Sequence, residues 1–136
     1  LPRFVDVVAF LDTVVLDPHY LDRFPDAPLD IEVVRRSRSA RASLALPHNA
    51  TIHLRDGSWN ALTVLHELAH LVVHADPPAA AAVLGPGHHT DADTAFADHG
   101  PVFVATELAL VRDHCGFPAY AALRSSFMNH GVAGVG

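Results

Sequence analysis

The sequence has only one cysteine, Cys115, so no disulfide can form within the chain. It also lacks any apolar run of the roughly 20 residues that a membrane span needs. The N-terminal segment carries Asp6, Asp12 and Asp17, whereas a secretory signal keeps its apolar core uninterrupted. We therefore expect a protein of the cytoplasm with no membrane partner, because a chain without disulfides suits a reducing compartment.

Basic residues are also scarce. Nine Lys and Arg residues face fifteen Asp and Glu residues, which leaves a net charge of −6. This balance makes a general nucleic-acid partner unlikely, because such proteins neutralise phosphates with an excess of positive charge. Histidine, by contrast, is abundant, with eleven in 136 residues. Because neutral imidazole is the commonest metal ligand among side chains, this abundance favours a metal site.

The length and the apolar content predict one globular domain over residues 1–136, with an α+β fold. Apolar residues at helical spacing predict helices over 3–16, 59–75, 99–115 and 118–130. Three short segments of strand character, 29–36, 42–46 and 50–55, predict a small sheet. Between the second and third helices, the tract 76–98 has few large apolar residues. We expect it to be a mobile loop.

The motif His66-Glu67-Leu68-Ala69-His70 lies inside the predicted helix 59–75. Residues four apart on a helix share one face, about 6 Å apart along its axis, so His66 and His70 can bind one zinc ion. Glu67 would project beside the metal and serve as general base and then general acid. Chance matches to this pattern occur in a histidine-rich chain. However, these polar groups lie in an apolar helix, where burial without a partner is costly.

A catalytic zinc site usually has a third protein ligand, and His99 is our prediction for it. His99 begins a predicted helix in which Pro101 restrains the backbone, and Phe103 lies one turn further on the same face. Glu107 is the main competitor, and Asp98 is expected to orient a ligand histidine. The other candidates are His74, His88, His89, Asp91, Asp93 and His114.

His66-Glu67-Leu68-Ala69-His70 followed by His99-Gly100-Pro101-Val102-Phe103 resembles the SprT-like metallopeptidases. It is more similar still to a group of short actinobacterial metallohydrolases with H-E-L-x-H and H-G-x-x-F motifs. The resemblance covers residues 58–115. It implies a compact zincin-like α+β domain with three or four helices and a small sheet, in which the active-site helix carries H-E-x-x-H. The cysteine cluster that often accompanies SprT-like domains is missing here, so a role in DNA repair does not carry over.

These features together predict a zinc-dependent hydrolase, with a peptide or protein as substrate. A strand beside the active-site helix, either 42–46 or 50–55, could pair with an extended peptide. Two alternatives remain open: a non-catalytic binding module stabilised by zinc, and a hydrolase of a non-peptide amide. A basic run of Arg35, Arg36, Arg38 and Arg41 could hold an acidic substrate, but a charged edge strand is the more favoured interpretation.

Overall fold

A computed structural model describes residues 3–86 and 91–135. In this part of the chain, seven α-helices surround a three-stranded sheet, so the fold class is α+β. The elements are α1 (Phe4–Val15), α2 (Pro18–Arg23), β1 (Glu32–Arg36), β2 (Leu44–Leu46), a 3-10 turn (Pro47–Asn49), β3 (Thr51–Arg55), α3 (Ala61–Ala75), α4 (Pro77–Leu84), α5 (Ala92–Ala95), α6 (Pro101–Cys115) and α7 (Phe117–Asn129). Within the described ranges, no helix is long and apolar enough to cross a bilayer.

The sheet has β3 at its centre, between β1 and β2. β1 runs parallel to β3, with Val34 opposite His53, and β2 runs antiparallel to it, with Ala45 opposite Ile52. In β3, Ile52 and Leu54 are buried while His53 and Arg55 are only partly so, and Thr51 at the start of the strand is buried as well. Both edges of β3 are therefore paired, and β2 keeps an open edge.

The core forms where α3 packs against α6. Every residue of α6 from Pro101 to Val111 is buried. On α3 the buried face includes Leu65, Leu68 and Val72, and α1 adds Val7 and Leu11 to the same core. The helix that carries the H-E-x-x-H motif is therefore held by packing over most of its length, and a side chain on its remaining face is rigidly placed.

The number of helices exceeds the three or four that we expected, because α2, α4 and α5 were not predicted. Two of them begin in the same way. Asp17 precedes Pro18 and Asp76 precedes Pro77, and each aspartate accepts a hydrogen bond from a backbone N–H in the first turn of the new helix. Proline at the first helical position is favourable because that N–H has no partner within the helix. An Asp-Pro step that ends one helix thus starts the next.

The tract 76–98 is consequently not a continuous loop. It contains α4, which packs against α6 through the buried Ala80, and α5, which Asp91 caps. Asp76 is also buried and accepts a hydrogen bond from Asp26 N at 3.0 Å, which ties the tract to the loop after α2. The mobility of the tract stays a prediction. The candidates His88 and His89 lie outside the described residues.

Candidate metal centre

Helix α3 presents His66 and His70 on one face. Asn60 caps the helix by accepting a hydrogen bond from Thr63 N at 2.9 Å, and the helix begins at Ala61, five residues before His66. The two imidazole rings lie one turn apart with centroids 5.3 Å from each other. Both side chains remain partly accessible, so the pair faces solvent on one side and the core on the other.

His99 comes from the turn before α6. Its φ of 56° lies in the left-handed region, which a residue other than glycine adopts at a cost of about 1–3 kcal/mol and which is concentrated at functional sites. Gly100 follows because a Cβ there would lie 2.8 Å from the carbonyl oxygen of Ala97. Pro101 then begins α6. The His-Gly-Pro step is therefore a sharp turn that directs the His99 side chain towards α3.

The three histidines meet in one cluster. His66, His70 and His99 each offer a ring nitrogen, and these nitrogens all lie within 4.8 Å of one another. The Nε2 atoms of His70 and His99 are 3.1 Å apart. Two ligands at about 2.1 Å from a tetrahedral zinc ion would be about 3.4 Å apart, so small side-chain adjustments would let all three bind one ion. The donor set fits zinc.

Phe103 packs against all three histidines of this cluster. Its ring stacks on His70, with centroids 4.2 Å apart and an interplanar angle of 24°. It also meets the rings of His66 and His99 with centroids at 5.0 and 4.9 Å. Phe103 is itself 3% exposed. A buried aromatic ring in contact with all three imidazoles limits their rotation, which agrees with the role expected for Phe103.

Glu107 lies behind His66. Its Oε1 accepts a hydrogen bond from His66 Nδ1 at 3.0 Å, and its side chain is buried in α6. This contact occupies the ring nitrogen of His66 that faces away from the cluster and leaves Nε2 for a metal. Glu107 is thus placed as the carboxylate that orients a ligand histidine rather than as a member of the histidine cluster.

Asp98 has the corresponding position at His70, as predicted from its place beside His99. Its Oδ1 lies 3.5 Å from His70 Nδ1, and its Oδ2 lies 3.9 Å from His99 Nδ1. Asp98 differs from Glu107 in that its side chain is 80% exposed. It therefore orients its neighbours less strongly than a buried carboxylate would.

Glu67 is buried directly beside the cluster. One oxygen, Oε1, lies 3.8 Å from His66 Nε2, and the other, Oε2, is buried with no hydrogen-bond partner among the described residues. Burial raises the pKa of this carboxyl group; the positive charge of His66 opposes the rise, and Glu107 and Asp98 add to it. A carboxylate with a raised pKa and a free oxygen is suited to accept and return a proton.

The two histidines of the H-E-x-x-H motif differ in their affinity for protons. Burial, followed by the charge of His66, lowers the pKa of His70 to about 4, so its imidazole is neutral at pH 7. Burial lowers the pKa of His66 as well, but the hydrogen bond and the charge of Glu107 outweigh it and leave a raised pKa. His70 is therefore ready to bind a metal, whereas His66 has to lose its proton more often.

A cleft of about 780 Å³ opens over the histidines. One wall is formed by α3 and His99, and the opposite wall is formed by β2 with the residues just before it. Of the two strands that we considered as partners for an extended peptide, only β2 has a free edge facing this space. β3 is paired on both sides.

The other candidate ligands lie elsewhere. His74 packs against His48, with ring centroids 4.7 Å apart, and His114 lies 3.8 Å from Asp17. Asp91 caps α5, where its neighbour Asp93 also lies.

The basic run is divided by the fold. Arg35 forms an ion pair with Asp56 at 3.0 Å, and Arg36 donates a hydrogen bond to Ala42 O at 2.9 Å. Both lie on the edge strand β1, where charge was expected. Arg41, in contrast, lines the cleft, which agrees with the less favoured interpretation of this run.

A scan against models of protein families and searches of characterised proteins and of solved structures found no match to this chain. The resemblance to SprT-like metallopeptidases therefore stays a prediction that rests on the two motifs. What the chain does has to be inferred from the side chains of the cleft.

Proposed function

We propose that this chain is a zinc-dependent hydrolase of peptide bonds, with His66, His70 and His99 as metal ligands. One observation carries the proposal. Three histidine nitrogens lie within 4.8 Å of one another, beside a buried glutamate whose Oε2 has no partner in the described part of the chain. In a structural zinc site, four protein ligands complete the coordination shell and no neighbouring base is needed. A catalytic site has three protein ligands and an open position.

Each residue has a separate task. Zinc, when bound, lowers the pKa of a water molecule towards neutrality and polarises a carbonyl group. Glu67 would accept a proton from the attacking water and return it to the leaving amine, for which its raised pKa is suited. Glu107 holds His66 with Nδ1 protonated, so that Nε2 keeps its lone pair for the metal. Phe103 keeps the three rings in place.

The shape of the cleft favours an extended peptide. The free edge of β2 offers backbone N–H and C=O groups along the wall opposite α3, and a peptide can pair with such an edge as an additional strand. Main-chain pairing of this kind would bring a peptide bond past the histidines. A compact non-peptide amide would use little of this wall.

The test combines metal analysis with proteolysis. Purified protein is loaded with zinc, its metal content is measured, and cleavage of an unfolded protein such as reduced casein is followed by mass spectrometry. We expect one zinc ion per chain and new peptide ends that disappear when a chelator is added. Matched Glu67→Gln protein distinguishes this activity from a contaminating protease. One bound zinc without any cleavage would instead favour the binding module.

A further inference from the structure

Acidic and basic side chains line different parts of the cleft. Glu67, Asp98 and Glu107 lie with the histidines, whereas Arg41 and Arg55 line the same cleft. Arg55 donates from Nη1 to Ser58 Oγ at 3.4 Å, and Ser58 lies just before α3. At the other end, His48 after β2 meets His74 in the last turn of α3. β2 thus runs alongside α3 in the same direction, and the arginines lie at one end of the cleft.

The segment before β2 is held in a defined shape by Arg55 and Arg36. Arg55 donates from Nε to Ala40 O at 2.9 Å and from its backbone N to Ser43 Oγ at 2.9 Å. Arg36 donates to Ala42 O at 2.9 Å. Bonds to residues 40, 42 and 43 restrain the backbone on both sides of Arg41, whose own side chain is exposed. A cation on a restrained backbone loses less entropy when it binds an anion.

We propose that Arg41 and Arg55 form a subsite for a carboxylate group of the substrate. The inference rests on the peptidase function proposed above and names the kind of peptide that the cleft selects. Guanidinium groups bind carboxylates through paired hydrogen bonds, and the carboxylates around the histidines disfavour an anion elsewhere in the cleft. The chain as a whole carries a charge of −6, so the selection is local.

The position of the subsite can be estimated from α3. Arg55 contacts Ser58 just before α3, and the helix begins at Ala61, five residues before His66, which is about 7.5 Å along the helix axis. An extended peptide advances about 3.3 Å per residue. The carboxylate therefore belongs to a residue about two positions from the bond over the histidines, as an acidic side chain or as a chain end.

The test measures binding, so that it does not depend on turnover. Zinc-loaded Glu67→Gln protein is titrated into fluorescein-labelled octapeptides that are amidated at the C-terminus. Each carries a single Glu at one of the eight positions in an uncharged sequence, and each has a partner with Gln at that position. We expect Glu to bind about threefold to tenfold more tightly than Gln at one or two adjacent positions. A further set with a free C-terminus separates a chain end from a side chain as the source.

Two variants assign the effect to the subsite. Arg41→Gln should reduce the preference for Glu over Gln, because only Arg55 remains, and Arg41→Glu should make the Gln peptide the tighter ligand. Arg38→Gln is the matched control, because Arg38 belongs to the same basic run and lies beside Gly57. It removes the same charge and should leave the preference unchanged. An equal loss in Arg38→Gln and Arg41→Gln would overturn the proposal, since net charge would then explain the preference.

The remaining outcomes separate the two proposals. If wild-type protein cleaves peptides but Glu and Gln bind equally at all positions, the subsite is wrong and the peptidase function stands. If no peptide binds and none is cleaved, both are wrong. If an eight-nucleotide single strand displaces the Glu peptide more effectively than the Glu peptide displaces itself, the arginines serve phosphates, and the assignment to a carboxylate falls.

Discussion

The histidines of α3 lie in two different surroundings, although His66, His70 and His74 follow one another at intervals of four on the same face. His66 and His70 are partly buried, contact Phe103, and have a carboxylate near the outer nitrogen of each ring. His74 is exposed at the end of the helix and touches only one other imidazole ring, that of His48, within the described residues.

The comparison teaches that spacing alone does not make a metal site. His70 and His74 have the same i, i+4 relation as His66 and His70, yet among the described residues a third nitrogen converges only on the latter pair. The difference lies in α6, which supplies Phe103 and Glu107, and in the turn before it, which supplies His99. The predictions below test how far this difference accounts for metal binding and chemistry.

The largest difference is expected between a histidine of the cluster, His99, and a histidine outside it, His74. His99→Ala should lose zinc affinity by more than the roughly 100-fold that loss of an orienting residue costs, because a ligand itself is removed. His74→Ala should bind zinc like the wild type. Competition with a chromophoric chelator measures both affinities. If His99→Ala keeps wild-type affinity and Glu107→Ala loses it, Glu107 is the third ligand and the family resemblance falls.

At the cluster of His66, His70 and His99, Glu67→Gln should lower the rate of peptide cleavage without releasing zinc. The amide is nearly isosteric with the carboxylate, so zinc should stay bound, while the rate of peptide cleavage falls by about 10² to 10⁴. Zinc content and initial rates are measured on the same preparation. A variant that purified without zinc would show that Glu67 is a ligand.

Glu107→Gln should weaken zinc binding at the cluster of His66, His70 and His99 without abolishing it. An amide in place of the buried carboxylate accepts a weaker hydrogen bond from His66 Nδ1, and zinc affinity should fall about 10- to 100-fold. Glu32→Gln on β1 is the matched control because Glu32 is exposed and the charge change is identical. Equal affinities in the two variants would mean that Glu107 does not orient His66.

Zinc should also stabilise the folded chain, and it should do so only by binding to the cluster of His66, His70 and His99. At a free zinc concentration 100 times the dissociation constant, binding adds about 2.7 kcal/mol to the free energy of unfolding. Thermal unfolding of the wild type and of His74→Ala should shift upwards on addition of zinc, whereas that of His99→Ala should not. A shift of equal size in His99→Ala would indicate binding at other histidines.

The smallest effect is expected at His114, a histidine of α6 that belongs neither to the cluster nor to the pair of His48 and His74. Burial lowers its pKa, and Asp113 and Asp17 only partly oppose this, so folding favours the neutral ring. The unfolded chain then binds more protons, and stability should decrease as the pH falls below the ordinary histidine value of about 6.5. His114→Gln should show a shallower loss of stability than the wild type when urea unfolding is compared between pH 7 and pH 5.

Local signals in the sequence predicted the long elements well. Helices α1, α3, α6 and α7 and all three strands occur where periodicity indicated, within a few residues at their ends. The short helices were missed because their signals are ambiguous. Asp17-Pro18 and Asp76-Pro77 follow the predicted helices 3–16 and 59–75, where such steps are typical of a helix end, yet the same residues cap and begin α2 and α4.

The C-terminus shows the limit of composition as a guide. Its Gly-rich segment is typical of a frayed end, yet Val135 is 7% exposed and packs into the core. A Cβ at Gly134 would lie 2.6 Å from Pro101 O, so glycine permits a close approach to the start of α6. Glycine that appears to indicate flexibility here allows contact between backbones instead.

Sequence by itself determined that His66 and His70 share a face beside Glu67, because helix geometry relates residues four apart without reference to the rest of the chain. It also indicated that His99 begins a helix in which Pro101 restrains the backbone. Only the tertiary structure decided that α6 lies against α3, so that His99 completes the cluster while Glu107 supports His66 from behind. It likewise made β2 the open edge and set Arg41 apart from Arg35 and Arg36. These relations depend on packing between segments far apart in the chain, which no local pattern encodes.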